Sequence, residues 1–236
     1  LFPYTTLFRS KEEFSIDNNY CFDEYQELLK NNEIDIIYIA LPTFLHHNWM
    51  IKCLEKEKNF LVEKPAVINS SEIIDIKNNY YNQNIFLSEA FMYIYHPQIK
   101  KVFEIINSGE IGRLISMESN FGKDILTKKN FFGFKKRKKL NLNNRLYNKE
   151  MGGGAILDLG CYPVSFSTLI ASLVSSINYD KVQVFDKKKE IGSTGVDLDS
   201  YASLRFENGF ISKISASFTK NLGKQTKILG DKAQLI

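Results

Sequence analysis

Apolar positions along this chain change period several times, and each change predicts an element. Phe22, Tyr25, Leu28 and Leu29 recur at helical spacing, which predicts a helix over Phe22–Asn31. Asp35–Leu41 (DIIYIAL) is continuous, apolar and β-branched, the pattern of a strand buried on both faces of a parallel sheet. Pro42-Thr43 ends it, and Thr43 is placed to cap a helix running to about Lys56. Phe60–Val62 predicts a short strand, Ser70–Asn79 a helix capped by Ser70 or Ser71, and Ile85–Glu89 a third strand. Strand, helix, strand, helix, strand in this order requires right-handed crossovers and a parallel sheet. The pattern is the later half of a doubly wound α/β domain.

From Pro97 the pattern differs. Pro97–Asn107 is amphipathic and ends at Ser108-Gly109; Leu114–Phe121 alternates like a strand; Gly122–Glu150 is polar, basic and irregular. Gly152–Ser172 predicts a long apolar helix after a glycine triplet. Val182–Phe185, Tyr201–Phe206 and Phe210–Thr219 predict strands, the last two joined at Glu207-Asn208-Gly209, where Asn-Gly signals a hairpin. Strands without regular helices between them point to an α+β domain with a largely antiparallel sheet. The expected division is therefore 1–91 and 92–236. Leu1–Ser10 (LFPYTTLFRS) resembles translated adapter read-through and is left out of the fold. A strand pattern begins at the far end, within Gly230–Ile236, and the chain as a whole reads as a fragment.

Composition narrows the function classes. The apolar share of 44% is that of a globular protein, and the 31 basic residues are nearly matched by 27 acidic ones, so a nucleic-acid binder is not indicated. The run Lys135–Lys139 is read as a solvated loop. Cys21, Cys53 and Cys161 suit free thiols in a reducing cytoplasm better than disulfides. No apolar stretch of about 18 residues is evident, so no membrane span is expected. Three scattered histidines without a carboxylate cluster give no metal site.

Two segments carry chemistry. Glu63-Lys64-Pro65 follows a strand, and open α/β sheets bind ligands beyond the carboxyl ends of their strands. A lysine there can hydrogen-bond a substrate oxygen and help move a proton. Alone, the triplet equally describes a surface turn with a salt-bridged lysine. Gly152-Gly153-Gly154 precedes Asp158 and Tyr162, which lie four apart and share a helix face. That pair can orient a substrate hydroxyl, or can be a buried Asp holding local amides beside a core Tyr. His46 and His47 are open between a helix-start role and a cofactor contact. His96, Trp49 and the set Phe91, Tyr93 and Tyr95 read as structural.

Val62-Glu63-Lys64-Pro65, then Ser88-Glu89-Ala90-Phe91-Met92-Tyr93 through His96-Pro97, then Gly152–Pro163 (GGGAILDLGCYP) stand in that order. Together they resemble the Gfo/Idh/MocA oxidoreductases, over about residues 20–236. The EAFMY segment and Tyr162 in place of the commoner His are similar to the glucose–fructose oxidoreductase and dihydrodiol/xylose dehydrogenase branch. The resemblance implies a partial Rossmann fold, a doubly wound parallel sheet, followed by an α+β domain whose largely antiparallel open sheet forms homodimers or higher homo-oligomers. It implies NAD or NADP as cofactor and a sugar, polyol or dihydrodiol as substrate, with no nucleic-acid or membrane partner. It implies that Lys64, Asp158 and Tyr162 are catalytic, and that Pro42, Thr43, His46, Glu63, Lys64, Pro65, Glu89 and Ala90 line the cofactor. Arg145, together with Lys64, Asp158 and Tyr162, is expected at the substrate. A non-catalytic dinucleotide sensor on the same fold is the alternative, against which the retained trio argues. The family's glycine-rich G-x-G-x-x-G turn has no counterpart in this sequence, so NAD versus NADP is not legible.

Overall fold

The computed structural model describes residues 11–80, 84–129, 131, 133–223 and 225–236; the segment Leu1–Ser10 lies outside them. The first layer begins with helix α1 (Tyr25–Lys30), which leads into strand β1 (Ile36–Ile39). Helix α2 (His46–Glu55), strand β2 (Asn59–Val62), helix α3 (Ser70–Tyr80) and strand β3 (Leu87–Glu89) follow. The strands form a parallel sheet in the order β1-β2-β3, with Ile39 opposite Val62 and Val62 opposite Glu89. Leu29, Ile39, Met50, Cys53, Leu54, Phe60, Val62 and Ile76 form its core. Burying a side chain the size of Phe60 contributes about 1.5–3 kcal/mol.

Three local expectations are corrected. Strand β1 is not buried on both faces: Ile36 and Tyr38 are 53% and 54% exposed. Its alternation sends Ile37 and Ile39 toward the helices and leaves Ile36 and Tyr38 exposed on the opposite face. Thr43 does not cap α2, because a 3-10 turn, Thr43–Leu45, intervenes and buries Thr43. Helix α3 is capped by Asn69, whose side-chain oxygen accepts from the Glu72 amide at 3.1 Å, rather than by Ser70 or Ser71.

The second layer opens with helix α4 (Pro97–Asn107). Proline at its first position needs no amide partner, and the His96 imidazole accepts from the Gln98 amide at 3.2 Å, a capping role. Strand β4 (Leu114–Gly122) is followed by the hairpin β5 (Thr127–Lys129) and β6 (Lys135–Arg137). The basic run therefore starts as a paired, exposed strand rather than a loop, with Arg137 bonded to Glu190 at 3.0 Å. Helix α5 (Cys161–Ser172) precedes β7 (Gln183–Ile191), β8 (Asp197–Arg205), β9 (Ile211–Ser217), β10 (Thr226–Gly230) and β11 (Gln234–Leu235).

The six-stranded sheet runs β11-β10-β4-β9-β8-β7. Every neighbouring pair is antiparallel except β4 and β9, which run parallel at its centre. The β8–β9 hairpin turns at Asn208-Gly209, with Gly209 at φ +84°, a conformation costly for residues bearing a Cβ. The helical stretch Lys149–Ser172 is, by length and composition alone, apolar enough to cross a membrane. In this fold α5 lies on the sheet instead: Phe166, Ile170 and Ala171 enter the core, and the buried Ser167 hydroxyl meets that of Ser212 at 2.6 Å.

Candidate active site

The glycine triplet and the Glu-Lys-Pro turn are far apart in sequence and meet in space. Lys64 follows β2, and its Nζ donates to the backbone oxygen of Asp158 at 2.8 Å. The same ammonium stands 4.9 Å from the centre of the Tyr162 ring, a cation–π contact. The Lys64–Pro65 bond is cis. Glu63 is pinned on both oxygens: one accepts from the Tyr38 hydroxyl, the other from the Lys64 amide at 3.2 Å.

Asp158 does not sit in a plain α-helix. Residues Ile156–Gly160 form a π-helical turn that leads into α5. Such wide turns often mark functional sites, and no sequence pattern here signals it. The turn presents the Asp158 backbone oxygen to Lys64 and leaves the carboxylate for Arg145, whose guanidinium donates at 3.2 Å. Asp158 is 16% exposed in its side chain and Arg145 51%, so the arginine reaches in from the rim.

The Tyr162 ring is packed edge-on by Phe91 at 5.7 Å and Phe121 at 5.5 Å, with Tyr93 at 6.2 Å. Tyr93 is fixed in turn by a 2.9 Å hydrogen bond to Ser165. Burial pushes the Tyr162 phenol above its ordinary value, and the negative charges of Glu63 and Asp158 push the same way. Tyr162 also lines a cleft of about 680 Å³ between α4 and the sheet, together with Tyr93, Asn120 and Phe121. The neighbouring Cys161 thiol is pushed up to about 12, chiefly by burial, so it stays protonated and is a poor nucleophile.

The expected cofactor-side residues divide into two groups. Pro42, Glu63, Lys64, Pro65, Glu89 and Ala90 are partly exposed or exposed at the carboxyl ends of the parallel strands. The Glu89 carboxylate accepts from the Ala66 amide at 2.8 Å; burial raises it, while that bond and the charges of His46 and Lys64 oppose the rise. His46 and Thr43 are buried. His46 is 1% exposed, with Nδ1 3.0 Å from the Pro65 oxygen and Nε2 2.7 Å from the Leu41 oxygen, so the ring ties two strand ends together. Thr43 is buried where the glycine triplet meets the first layer: a Cβ on Gly152 would lie 3.4 Å from it and 2.5 Å from Ile68.

His47 pairs with Asp75 at 2.8 Å. Phe91, Tyr93 and Trp49 pack as expected, but Tyr95 is 87% exposed. Phe121 was not singled out from sequence, although it closes the alternating pattern of β4. Asp197 was missed as well, and its carboxylate accepts from the Ile156 amide at 2.9 Å. Among the described residues no three His, Cys, Asp or Glu side chains converge as a metal site.

Comparison with known proteins shows the family and the fold. The family described as "Oxidoreductase family, NAD-binding Rossmann fold" matches residues 6–91, and "GFO/IDH/MocA C-terminal domain" matches 99–236. A trans-1,2-dihydrobenzene-1,2-diol dehydrogenase of Xenopus laevis is 29% identical over 211 residues, covering 89% of this chain and 58% of its own length. The chain thus spans little more than half the length of such relatives. A 3-ketoreductase from Actinomadura kijaniata, solved with NADP and TDP-benzene, has a TM-score of 0.76 at 21% identity, covering 97% of this chain and 63% of its own. A levoglucosan dehydrogenase, solved with NADH and levoglucosan, has a TM-score of 0.78 at 21% identity, covering 98% and 60%. At these identities the solved structures show the fold, a Rossmann-type parallel sheet followed by a mixed, largely antiparallel one. On the two family matches, the chain belongs to the Gfo/Idh/MocA oxidoreductase family.

Proposed function

We propose that this chain carries the reacting groups of an NAD(P)-dependent oxidoreductase. It would transfer a hydride between the nicotinamide and a CH–OH carbon of a sugar, polyol or dihydrodiol. One observation carries the reading: Lys64, from the parallel sheet, is held against Asp158 and Tyr162, from the second layer.

The residues at the strand ends suit the nicotinamide end of a dinucleotide. Carboxylates Glu63 and Glu89 and the ammonium of Lys64 lie at one edge of a parallel sheet, where doubly wound folds take ligands. Pro42, Glu63, Lys64, Pro65, Glu89 and Ala90 would hold it, with Thr43 and His46 shaping the turns beneath. When bound, the nicotinamide supplies the hydride acceptor or donor at C4. In the oxidising direction Tyr162 Oη takes the hydroxyl proton while Lys64 Nζ hydrogen-bonds the substrate oxygen. In the reducing direction the phenol returns that proton. Asp158 and Arg145 orient neighbouring hydroxyls. The aromatic packing around Tyr162 excludes water from its ring and restricts where its oxygen can sit.

The two layers support a domain division into 1–91 and 92–236. The outward face of the six-stranded sheet, with Lys213, Glu118 and Leu229 exposed, supports a homodimer through that sheet. The free cysteines support a reducing, cytoplasmic setting.

The test is a titration of NADH and NADPH against Trp49 fluorescence, followed by a panel of sugars, polyols and dihydrodiols. Binding with turnover of one substrate class is expected, and the tighter dinucleotide names the cofactor. Binding without turnover across the panel would overturn the enzymatic reading in favour of a sensor.

A further inference from the structure

Asp197 opens strand β8, an element that carries none of Lys64, Arg145, Asp158 and Tyr162. Its Oδ2 accepts from the Ile156 amide at 2.9 Å and from the Ser200 hydroxyl at 2.7 Å. Its Oδ1 fills the space where a Cβ on residue 154 would stand, 2.2 Å away, and Gly154 itself is at φ +120°. Glycine is therefore required there twice over, for conformation and for the carboxylate. The Ile156 amide belongs to the first turn of a helical segment, whose amides have no acceptor within the helix. A carboxylate at that end also meets the positive pole of the helix dipole.

The contact leads to the reacting groups by short steps. Ile156 begins the π turn, and the Asp158 amide donates back to the Gly154 oxygen at 3.1 Å. The Asp158 oxygen then holds Lys64 Nζ at 2.8 Å.

We propose that Asp197 is a positioning residue of the active site: by holding the Ile156 amide it fixes the π turn that sets Lys64 against Asp158 and Tyr162. It touches neither substrate nor cofactor. This rests on the oxidoreductase reading above. A shift of about 1 Å in the turn would cost on the order of 10²-fold in turnover.

The experiment compares Asp197→Ala, Asp197→Asn and Gly154→Ala with wild type in the cofactor-binding protein. It measures kcat, KM, dinucleotide affinity, the pH profile of substrate oxidation and hydrogen exchange across residues 152–162. Asp197→Ala is expected to lower kcat by about 10²-fold with dinucleotide affinity kept. Exchange should quicken at Ile156 and its neighbours. The rising limb of the pH profile should move to higher pH, because a displaced ammonium no longer favours the Tyr162 phenolate. Asparagine keeps an acceptor oxygen, so Asp197→Asn should recover most of the rate and the original profile. Gly154→Ala displaces the carboxylate from the other side and should reproduce the alanine phenotype.

Full turnover in Asp197→Ala overturns the proposal. So does an unmoved pH profile with rate and dinucleotide binding lost in parallel, which would mark a purely structural contact. If wild type turns over nothing on the panel, it is the oxidoreductase reading that fails. Exchange then decides this proposal alone: unchanged protection at Ile156 in Asp197→Ala rejects the positioning contact, and loss confined to 154–162 upholds it.

Discussion

Lys64 and Asp158 are 94 residues apart, and the hydrogen bond between the Lys64 ammonium and the Asp158 backbone oxygen, at 2.8 Å, joins the two layers of the fold. A backbone oxygen is an acceptor that no side-chain substitution at 158 removes. Lys64 should therefore keep its place when the Asp158 carboxylate is lost. The carboxylate is left to Arg145, and the two functions of Asp158 are separable.

Lys64→Met keeps much of the chain length and removes the charge. Turnover is expected to fall by about 10²–10⁴-fold, the range for loss of a positioned proton-transfer group. Dinucleotide binding, followed by Trp49 fluorescence, should be largely unchanged. Equal turnover in this variant removes Lys64 from the mechanism.

The Tyr162 phenol is held above its ordinary value, burial being the main cause. The ultraviolet difference titration of wild type minus Tyr162→Phe, without dinucleotide, should therefore have its midpoint above about 10. Binding of the oxidised cofactor, whose ring is positive, should lower that midpoint. Oxidation needs the phenolate and should rise with pH; reduction needs the phenol and should fall over the same interval. Tyr162→Phe should lose both dependences. A midpoint below the ordinary phenol range in the free protein contradicts the burial argument.

Arg145 is half exposed, so its ion pair with Asp158 is worth less than about 1 kcal/mol in stability. Arg145→Ala should leave the melting temperature nearly unchanged and raise KM for the substrate more than it lowers kcat. A large melting shift instead would make the pair structural.

Gly153 is surrounded by backbone. An added Cβ would lie 2.5 Å from the Arg145 oxygen and 2.8 Å from those of Leu146 and Asn148. None of these can swing away, so Gly153→Ala should destabilise by about 1–3 kcal/mol through overpacking. Gly109→Ala is the control: nothing lies within 4 Å, and only its φ of +75° is strained, at a cost of about 1–2 kcal/mol. Chemical denaturation of the pair compares the two. The Gly153 variant, unlike the Gly109 variant, should also slow turnover.

Burial pushes the Cys53 thiol up to about 11. The folded state therefore holds a proton that the unfolded chain releases from about pH 8.5 upward. Stability from this group is full below that value and is lost as pH rises to about 11, with a slope of up to about 1.4 kcal/mol per pH unit. Cys53→Ala should flatten urea-derived stability against pH over this window, whatever its effect at neutral pH. An unchanged slope would falsify the assignment.

By itself the sequence determined the elements whose cause is local. The runs at 35–41 and 60–62, the amphipathic 97–107 and the Asn208-Gly209 hairpin became the strands, helix and turn that their periods predict. Three motifs in register carried the resemblance to the family, and that resemblance implied Lys64, Asp158 and Tyr162. Tertiary structure decided what depends on partners distant in the chain. Whether both faces of 36–39 are covered is a matter of what packs there, not of the strand's own residues. His46 became a buried tie because two carbonyl oxygens, at Leu41 and Pro65, converge on its ring. The parallel pairing of β4 with β9 joins residues 95 apart in the chain, as Ser116 with Ile211. The π turn at 156–160 has no period of its own in an apolar helix. Its amides and oxygens are held by groups distant in the chain, the Asp197 carboxylate at the Ile156 amide and the Lys64 ammonium at the Asp158 oxygen, and these contacts are fixed only when both layers are folded.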